Sequence, residues 1–280
     1  LVGAKHQSMW ETFALTLLFA DPAFILKREL MWIPFFGWYA WKADMIPVDR
    51  GKRGQALTAM AACAACLRAQ DTPAPKPVEA PKPPEGFTAI FNGKDLTGWK
   101  QVGDGQHFVE NGLIASKGGM GLLYWPGEKF GDCKVRVVFR MQKTNSNAGV
   151  FIRIPIEPRE AWMPVHYGYE VQIDNNPETS GEDDYHYTGC IYSLSKPLAK
   201  PGKPGPEWNT MEITMQGSRT IVHVNGVKVT DYKEGDKVPD KKFDFEPFRG
   251  ARPDRGYIGI QNHGEEDVVY FKEVSVQKLK

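Results

Sequence analysis

The sequence predicts an all-β protein: a two-sheet antiparallel jelly-roll sandwich, with a short α/β fragment ahead of it. Three observations predict it. Apolar and polar residues alternate with a period of two along many short stretches after Phe87. Asn-Gly, Asp-Gly and Gly-Gly dipeptides separate those stretches, as tight reversals require. Aromatic content is 12%, with 28 Gly and 21 Pro, which suits strands joined by turns better than a helical bundle.

The strands are expected, in order, at 87–91, 107–110, 113–116, 121–125, 133–141, 149–154, 169–173, 189–192, 208–216, 220–224, 228–231, 256–261 and 268–277. Val135 to Met141 and Met211 to Met215 alternate most regularly. Asn111-Gly112 and Asn225-Gly226 each sit between two such runs, the preferred pair for a type I′ hairpin, so Asn225 reads as structural. About a dozen antiparallel strands and no convincing helix give the two-layer, concanavalin-like arrangement.

Composition changes twice along the 280 residues. Residues 1–59 are rich in Trp, Phe, Met and Leu. Residues 60–86 join a small-residue stretch, like the end of a secretory signal, to a Pro-rich tether from Asp71 that should be extended. Residues 87–280 are the sandwich. A tethered, signal-like start points to a periplasmic or extracellular domain. No apolar run reaches the roughly 20 residues of a membrane span. With 35 basic and 34 acidic residues, the chain lacks the electrostatic footprint of a nucleic-acid binder. Cys133 and Cys190 are read as separate core residues, with a disulfide between them as the alternative.

The residue types after Trp99 suit carbohydrate. Trp99, Trp125, Trp162, Tyr167, Tyr169, Tyr185, Tyr187, Tyr192 and Trp208 offer flat faces for sugar C–H groups, among polar residues that could bind hydroxyls. Glu170, Gln172 and Asp174 are spaced by two on one strand and must share a face, opposite Tyr169, Val171 and Ile173. Gln261 and His263 share a face if their strand continues through Asn262.

Gly86 to Trp99 (Gly-Phe-Thr-Ala-Ile-Phe-Asn-Gly-Lys-Asp-Leu-Thr-Gly-Trp) resembles the opening of the 3-keto-disaccharide hydrolase domain family. Segments 147–153, 169–174, 188–192, 207–209, 224–226 and 259–264 resemble that family in order. The sequence departs from it at Ala148, where the family has Ser, and at Lys272, where it has Arg. The resemblance implies cleavage of a glycoside already oxidised at C3, by removal of the acidified C2 hydrogen and loss of the C1 substituent. Among the polar residues expected to share one sheet face, His263 is the candidate base or acid, with Glu170 or Asp174 as its carboxylate counterpart. Arg153 or Gln261 would donate to the ketone oxygen, and Gln172, Tyr192, Trp208 and Asn147 would bind substrate. A divalent cation, Ca²⁺ or Zn²⁺/Mn²⁺, held by Glu170, Asp174 and His263 is an alternative polarising group.

The first piece resembles a different family. Lys5 to Glu11, 27–30, 33–38 and 45–50 resemble successive segments of lysophospholipid (1-acylglycerol-3-phosphate) acyltransferases, with His6 and Glu11 in place of the His–acid dyad. The later Glu-Gly-Thr-Arg segment of that family has no counterpart here. The fragment is therefore expected to be inactive, joined to the sandwich by a rearrangement or an assembly artefact. Two other readings compete with the glycoside-cleaving one: a non-catalytic carbohydrate-binding module, and an acyltransferase fragment.

Overall fold

A computed structural model describes residues 25–27, 46–48, 82–177 and 184–279. The chain divides into two compact units, residues 1–75 and 76–280. In the first, β1 (Ile25–Lys27) pairs in parallel with β2 (Ile46–Val48), and Ile25 opposes Ile46. His6, Glu11, Cys63 and Cys66 lie outside the described residues.

The second unit is the expected sandwich. One sheet has five strands in the order β10 (Tyr169–Ile173), β9 (Ala148–Ile154), β14 (Gly256–Asn262), β7 (Gly121–Phe130) and β4 (Lys100–Gly103). The other has eight. Seven run β13 (Val227–Lys233), β12 (Arg219–Val224), β11 (Asn209–Gln216), β8 (Cys133–Met141), β15 (Val269–Lys278), β6 (Leu113–Lys117) and β5 (Gln106–Glu110), and β3 (Thr88–Ala89) pairs with β15. All pairings in this unit are antiparallel.

The alternation read in the sequence becomes the space between the sheets. Val135, Val137, Phe139, Met211, Ile213 and Phe271 point inward from the eight-stranded sheet. They meet Leu123, Val150, Ile152, Val171, Ile173, Ile258 and Ile260 from the five-stranded sheet. Ile213 is fully buried between Val135 and Val222 on the adjacent strands. Ile213→Val should therefore cost about 1 kcal/mol, the usual loss for one buried methylene. A urea titration checks this, and an unchanged midpoint would place Ile213 outside the load-sharing core.

Both Asn-Gly reversals take the expected form, with φ of 52° and 79° at Asn111 and Gly112 and 51° and 80° at Asn225 and Gly226. Asn225 also accepts from Thr210 N and donates to Pro201 O and Asn209 Oδ1, so it is structural. Cys133 and Cys190 are free and buried, not bridged.

Three local expectations change. A short helix, α1 (Met163–Tyr167), stands where no helix was expected. Met163, Pro164 and Val165 are its buried residues, so five residues suffice to cap part of a sheet. The expected strand at 189–192 makes only a bridge, Val171 to Ile191, and continues the edge of β10 through single hydrogen bonds. Strand β4 was missed because Lys100-Gln101-Val102-Gly103 carries almost no apolar signal and is largely exposed. No helix among the described residues is long and apolar enough to cross a membrane.

Candidate active site

The outward face of the five-stranded sheet is divided in two. Leu122, Tyr124, Phe151 and Ile154 form an apolar half, covered by Ala161, Met163 and Val165 from the segment that contains α1. The other half carries the polar residues. Register fixes its rows: Gln172 opposes Gly149, and Ile260 opposes Val150, which sets Gln261 beside Gly149. Asp174, Asn147 and His263 follow at the same end of these strands. Tyr169, Val171 and Ile173 face the core, as period two demands.

Glu170 sits over β9. A Cβ on Gly149 would lie 2.5 Å from Glu170 Oε1 and 2.6 Å from its Cγ, so only glycine admits this side chain. Glu170 is 5% exposed. Burial raises its carboxyl to about 8, against the smaller opposing effects of the His263 charge and a hydrogen bond with Gln261. It is therefore a neutral acid at pH 7. Gly149→Ala should push Glu170 aside, cost about 1–3 kcal/mol of stability, and abolish most turnover. Kinetics beside thermal melting check it, and full activity would remove Glu170 from the site.

His263 is half exposed, and its Nδ1 lies 3.0 Å from Asp267 Oδ2. Burial pulls the imidazole down, but the Asp267 bond and charge, with Glu170 and Asp174, outweigh it and leave the pKa raised. Because Glu170 is protonated below about pH 8, Asp267 supplies the decisive negative charge at neutral pH. Asp267 Oδ1 also accepts from Asn147 N at 2.9 Å, which fixes the carboxylate. With Nδ1 engaged, the Nε2 of His263 is left to act on a ligand. Asp267 is thus the carboxylate bonded to the histidine. Sequence reasoning missed it because its position depends on the turn between β14 and β15; an Asp four residues after His263 was the available signal.

Asn147 Oδ1 accepts from Gln172 Nε2 at 2.6 Å. Asp174 Oδ1 accepts from Asn176 N at 2.9 Å, while burial, with Asp267, raises its carboxyl to about 6. Three buried oxygens on this face, Gln172 Oε1, Asp174 Oδ2 and Gln261 Oε1, have no hydrogen-bond partner among the described residues. Unpaired buried acceptors cost free energy unless a ligand or water donates to them.

Two expected site residues are elsewhere. Arg153 has φ 54° at a bulge, where the register slips between the Tyr257–Ile154 and Gly259–Phe151 pairs. The extra residue turns its side chain out of the row. Arg153 instead donates to the backbone oxygens of Pro253 and Gly217. Trp208 precedes β11 in the eight-stranded sheet and lies against Arg140 and Lys272, on the outward face of that sheet. The strand it precedes, β11, belongs to a different sheet from β14, which carries Gln261. Tyr192 does border the site: its N–H donates to Glu170 O, and its ring meets that of His186 at 5.0 Å. Trp99 and Tyr169, expected among the sugar-facing aromatics, are buried in the core.

Among the described residues, no three His, Cys, Asp or Glu side chains are grouped so as to hold a metal ion. The suggested ligand set of Glu170, Asp174 and His263 is therefore not formed. A cavity of about 360 Å³ exists elsewhere, lined by Asp132, Cys133, Asp254 and Arg255 among others, and contains none of these polar residues.

The model of the 3-keto-alpha-glucoside-1,2-lyase-like domain matches residues 86–277. The chain belongs to this family. Within it, the chain is 25% identical over 240 residues to a 3-keto-disaccharide hydrolase of Bacteroides thetaiotaomicron, covering 72% of this chain and 81% of that one. A crystal structure from Parabacteroides distasonis, provisionally named a glycosyl hydrolase, aligns with a TM-score of 0.58 at 26% identity, over 70% of this chain and 95% of that one. A second structure from that organism, at 21% identity and a TM-score of 0.56, shows the shared fold. Family and relatives together indicate a carbohydrate-related, glycoside-active domain. Residues 1–74 match an acyltransferase model. There the chain is 45% identical over 61 residues to a 1-acyl-sn-glycerol-3-phosphate acyltransferase of Pseudomonas aeruginosa, and spans 24% of its length.

Proposed function

We propose that the sandwich cleaves glycosides carrying a ketone at C3 of the sugar, by elimination across C1 and C2 followed by hydration. What carries this reading is one face that holds an Asp-bound histidine, a buried neutral carboxylic acid and three buried acceptors without partners among the described residues. The acceptors suit a polyol, which brings the donors they lack. The acid and the histidine suit proton transfer: burial keeps the Glu170 carboxyl protonated up to about pH 8, and Asp267 holds the imidazole through Nδ1.

His263, held through Nδ1 by Asp267, takes the C2 proton at Nε2. The electron pair of the C2–H bond becomes a C1=C2 double bond conjugated with the ketone. The C1–O bond breaks, and Glu170 gives its proton to the departing oxygen. The side-chain amide of Gln261, beside Glu170, donates to the ketone oxygen as charge develops there. Water then adds with its oxygen at C1. Glu170 takes a proton from that water, and the protonated His263 returns one to C2, so both groups regain their starting states. This route needs one base and one acid rather than the two ionisable carboxylates of ordinary glycoside hydrolysis.

The test is to incubate the full chain with a 3-keto-glucoside and with its unoxidised parent, following aglycone release. Release from the keto compound alone supports the proposal. Release from both would indicate ordinary hydrolysis. Saturable binding of oligosaccharides without release would make the domain a carbohydrate-binding module.

A further inference from the structure

We propose that Tyr167 is the platform of an aglycone subsite, taking the apolar face of a ring-bearing leaving group; this rests on the glycoside reading above. Most large apolar side chains of the domain are buried, yet Tyr167 is 51% exposed and Phe248 beside it 42%. Their rings meet edge to face at 5.1 Å. His166 stacks on Phe248 at 5.2 Å, and Lys241 lies 4.7 Å over the same ring. Phe248 therefore braces Tyr167, the more exposed ring of the pair and the one offered to a ligand.

The brace is held by buried charge. Phe248 N donates to His166 O at 3.1 Å. The buried Arg252 donates from Nε to Gly168 O at 2.8 Å and from Nη2 to Phe248 O at 2.6 Å. Arg249 ties the same loop to Glu246 Oε2 at 3.0 Å and to Ser193 Oγ at 3.1 Å. Such bonds fix an exposed ring in one place, so a ligand that stacks on it loses little freedom in ordering the protein.

The placement joins this ring to the reacting groups. Only Gly168 and Tyr169 separate Tyr167 from Glu170, so their Cα atoms lie within roughly 10 Å, the reach of three extended residues. Helix α1, which ends at Tyr167, covers the apolar half of the same sheet face. Ser193, the anchor of the bracing loop, follows Tyr192, whose N–H is bonded to Glu170 O. A leaving group whose oxygen meets Glu170 would have its ring directed at this wall. A second sugar and an aryl group share the needed chemistry, a flat face of C–H or π character.

The experiment uses the full chain and three substrates: methyl 3-keto-glucoside, 4-nitrophenyl 3-keto-glucoside and a 3-keto-disaccharide. Tyr167→Ala should lower kcat/KM roughly five- to tenfold for the ring-bearing substrates, as loss of one aromatic contact does, and leave the methyl glycoside unchanged. Tyr167→Phe should retain the parent rates. Phe245→Ala, another exposed aromatic that is stacked on Phe243 at 5.1 Å, serves as control and should change nothing. A loss confined to the aryl or to the disaccharide arm identifies the leaving group and keeps the proposal. Equal losses on all three substrates, or none on the ring-bearing pair, would overturn it. If the parent protein turns over no keto-glycoside, the glycoside reading fails separately. The subsite is then judged by phenyl glucoside binding, which Tyr167→Ala must abolish for the proposal to stand.

Discussion

His263→Ala is expected to lower kcat/KM on a 3-keto-glycoside by about 10³-fold, the middle of the range for removing a positioned general base. His263 follows β14 at the mouth of the polar half, and its Nδ1 is committed to Asp267. Alanine leaves no group that can take the C2 proton, and the exposed side of the imidazole makes a folding defect small. Asp267→Asn separates orientation from basicity. The bond to Nδ1 can persist, but the charge that raises the imidazole pKa is gone. The acid limb of the pH–rate profile, which reports His263 losing its proton, should then move to lower pH while kcat falls. An unchanged acid limb would mean that His263 is not the titrating base. A His263→Ala variant within tenfold of the parent would remove the histidine from the chemistry altogether.

Glu170→Gln should have opposite effects on activity and on stability. Activity should fall by roughly 10²- to 10⁴-fold, because glutamine has no proton to give the leaving oxygen. In the parent, the alkaline limb of the profile should lie near pH 8, where Glu170 ionises. Its folded pKa of about 8 lies above the ordinary 4.5, so the folded chain binds the proton more tightly than the unfolded chain does. The stabilising effect is complete below pH 4.5 and is lost progressively as pH rises through about 8. Glutamine is neutral throughout and escapes that loss. At pH 8.5 the variant should be more stable than the parent by about 4–5 kcal/mol, given roughly 1.4 kcal/mol for each tenfold difference in proton affinity. Denaturation of both proteins at pH 5 and 8.5 measures the difference. A parent whose stability rises between those values would show that Glu170 is ionised in the fold.

The separation of Glu170, Gln172 and Asp174 from Tyr169, Val171 and Ile173 needed only the two-residue period of a strand. The inward rows of β8 and β11 and the Asn-Gly reversals followed from equally local rules, since side-chain direction and positive φ are set within a few residues. That Gln261 and His263 lie toward one face at the end of β14 was legible for the same reason. The matching family segments added the chemistry to expect there.

What lay beyond the sequence depends on contacts between distant strands. Arg153 obeys the alternation on paper, but a bulge seen only in its pairing with β14 turns it toward Pro253 and Gly217. Trp208 reads as a sugar platform until the order of strands assigns it to the other sheet. Asp267 becomes the partner of His263 only because a turn returns its carboxylate to Nδ1 and to Asn147 N. The proton held by Glu170 comes from desolvation against Gly149 and its neighbours, and no reading of residue types alone carries that. The sequence by itself determined the sandwich, its inward and outward rows and the polar residue types of the site, because strand periodicity and turn chemistry act locally. The tertiary structure decided which of those residues meet and which keep a proton at neutral pH, because register, bulges and burial act across the sheet.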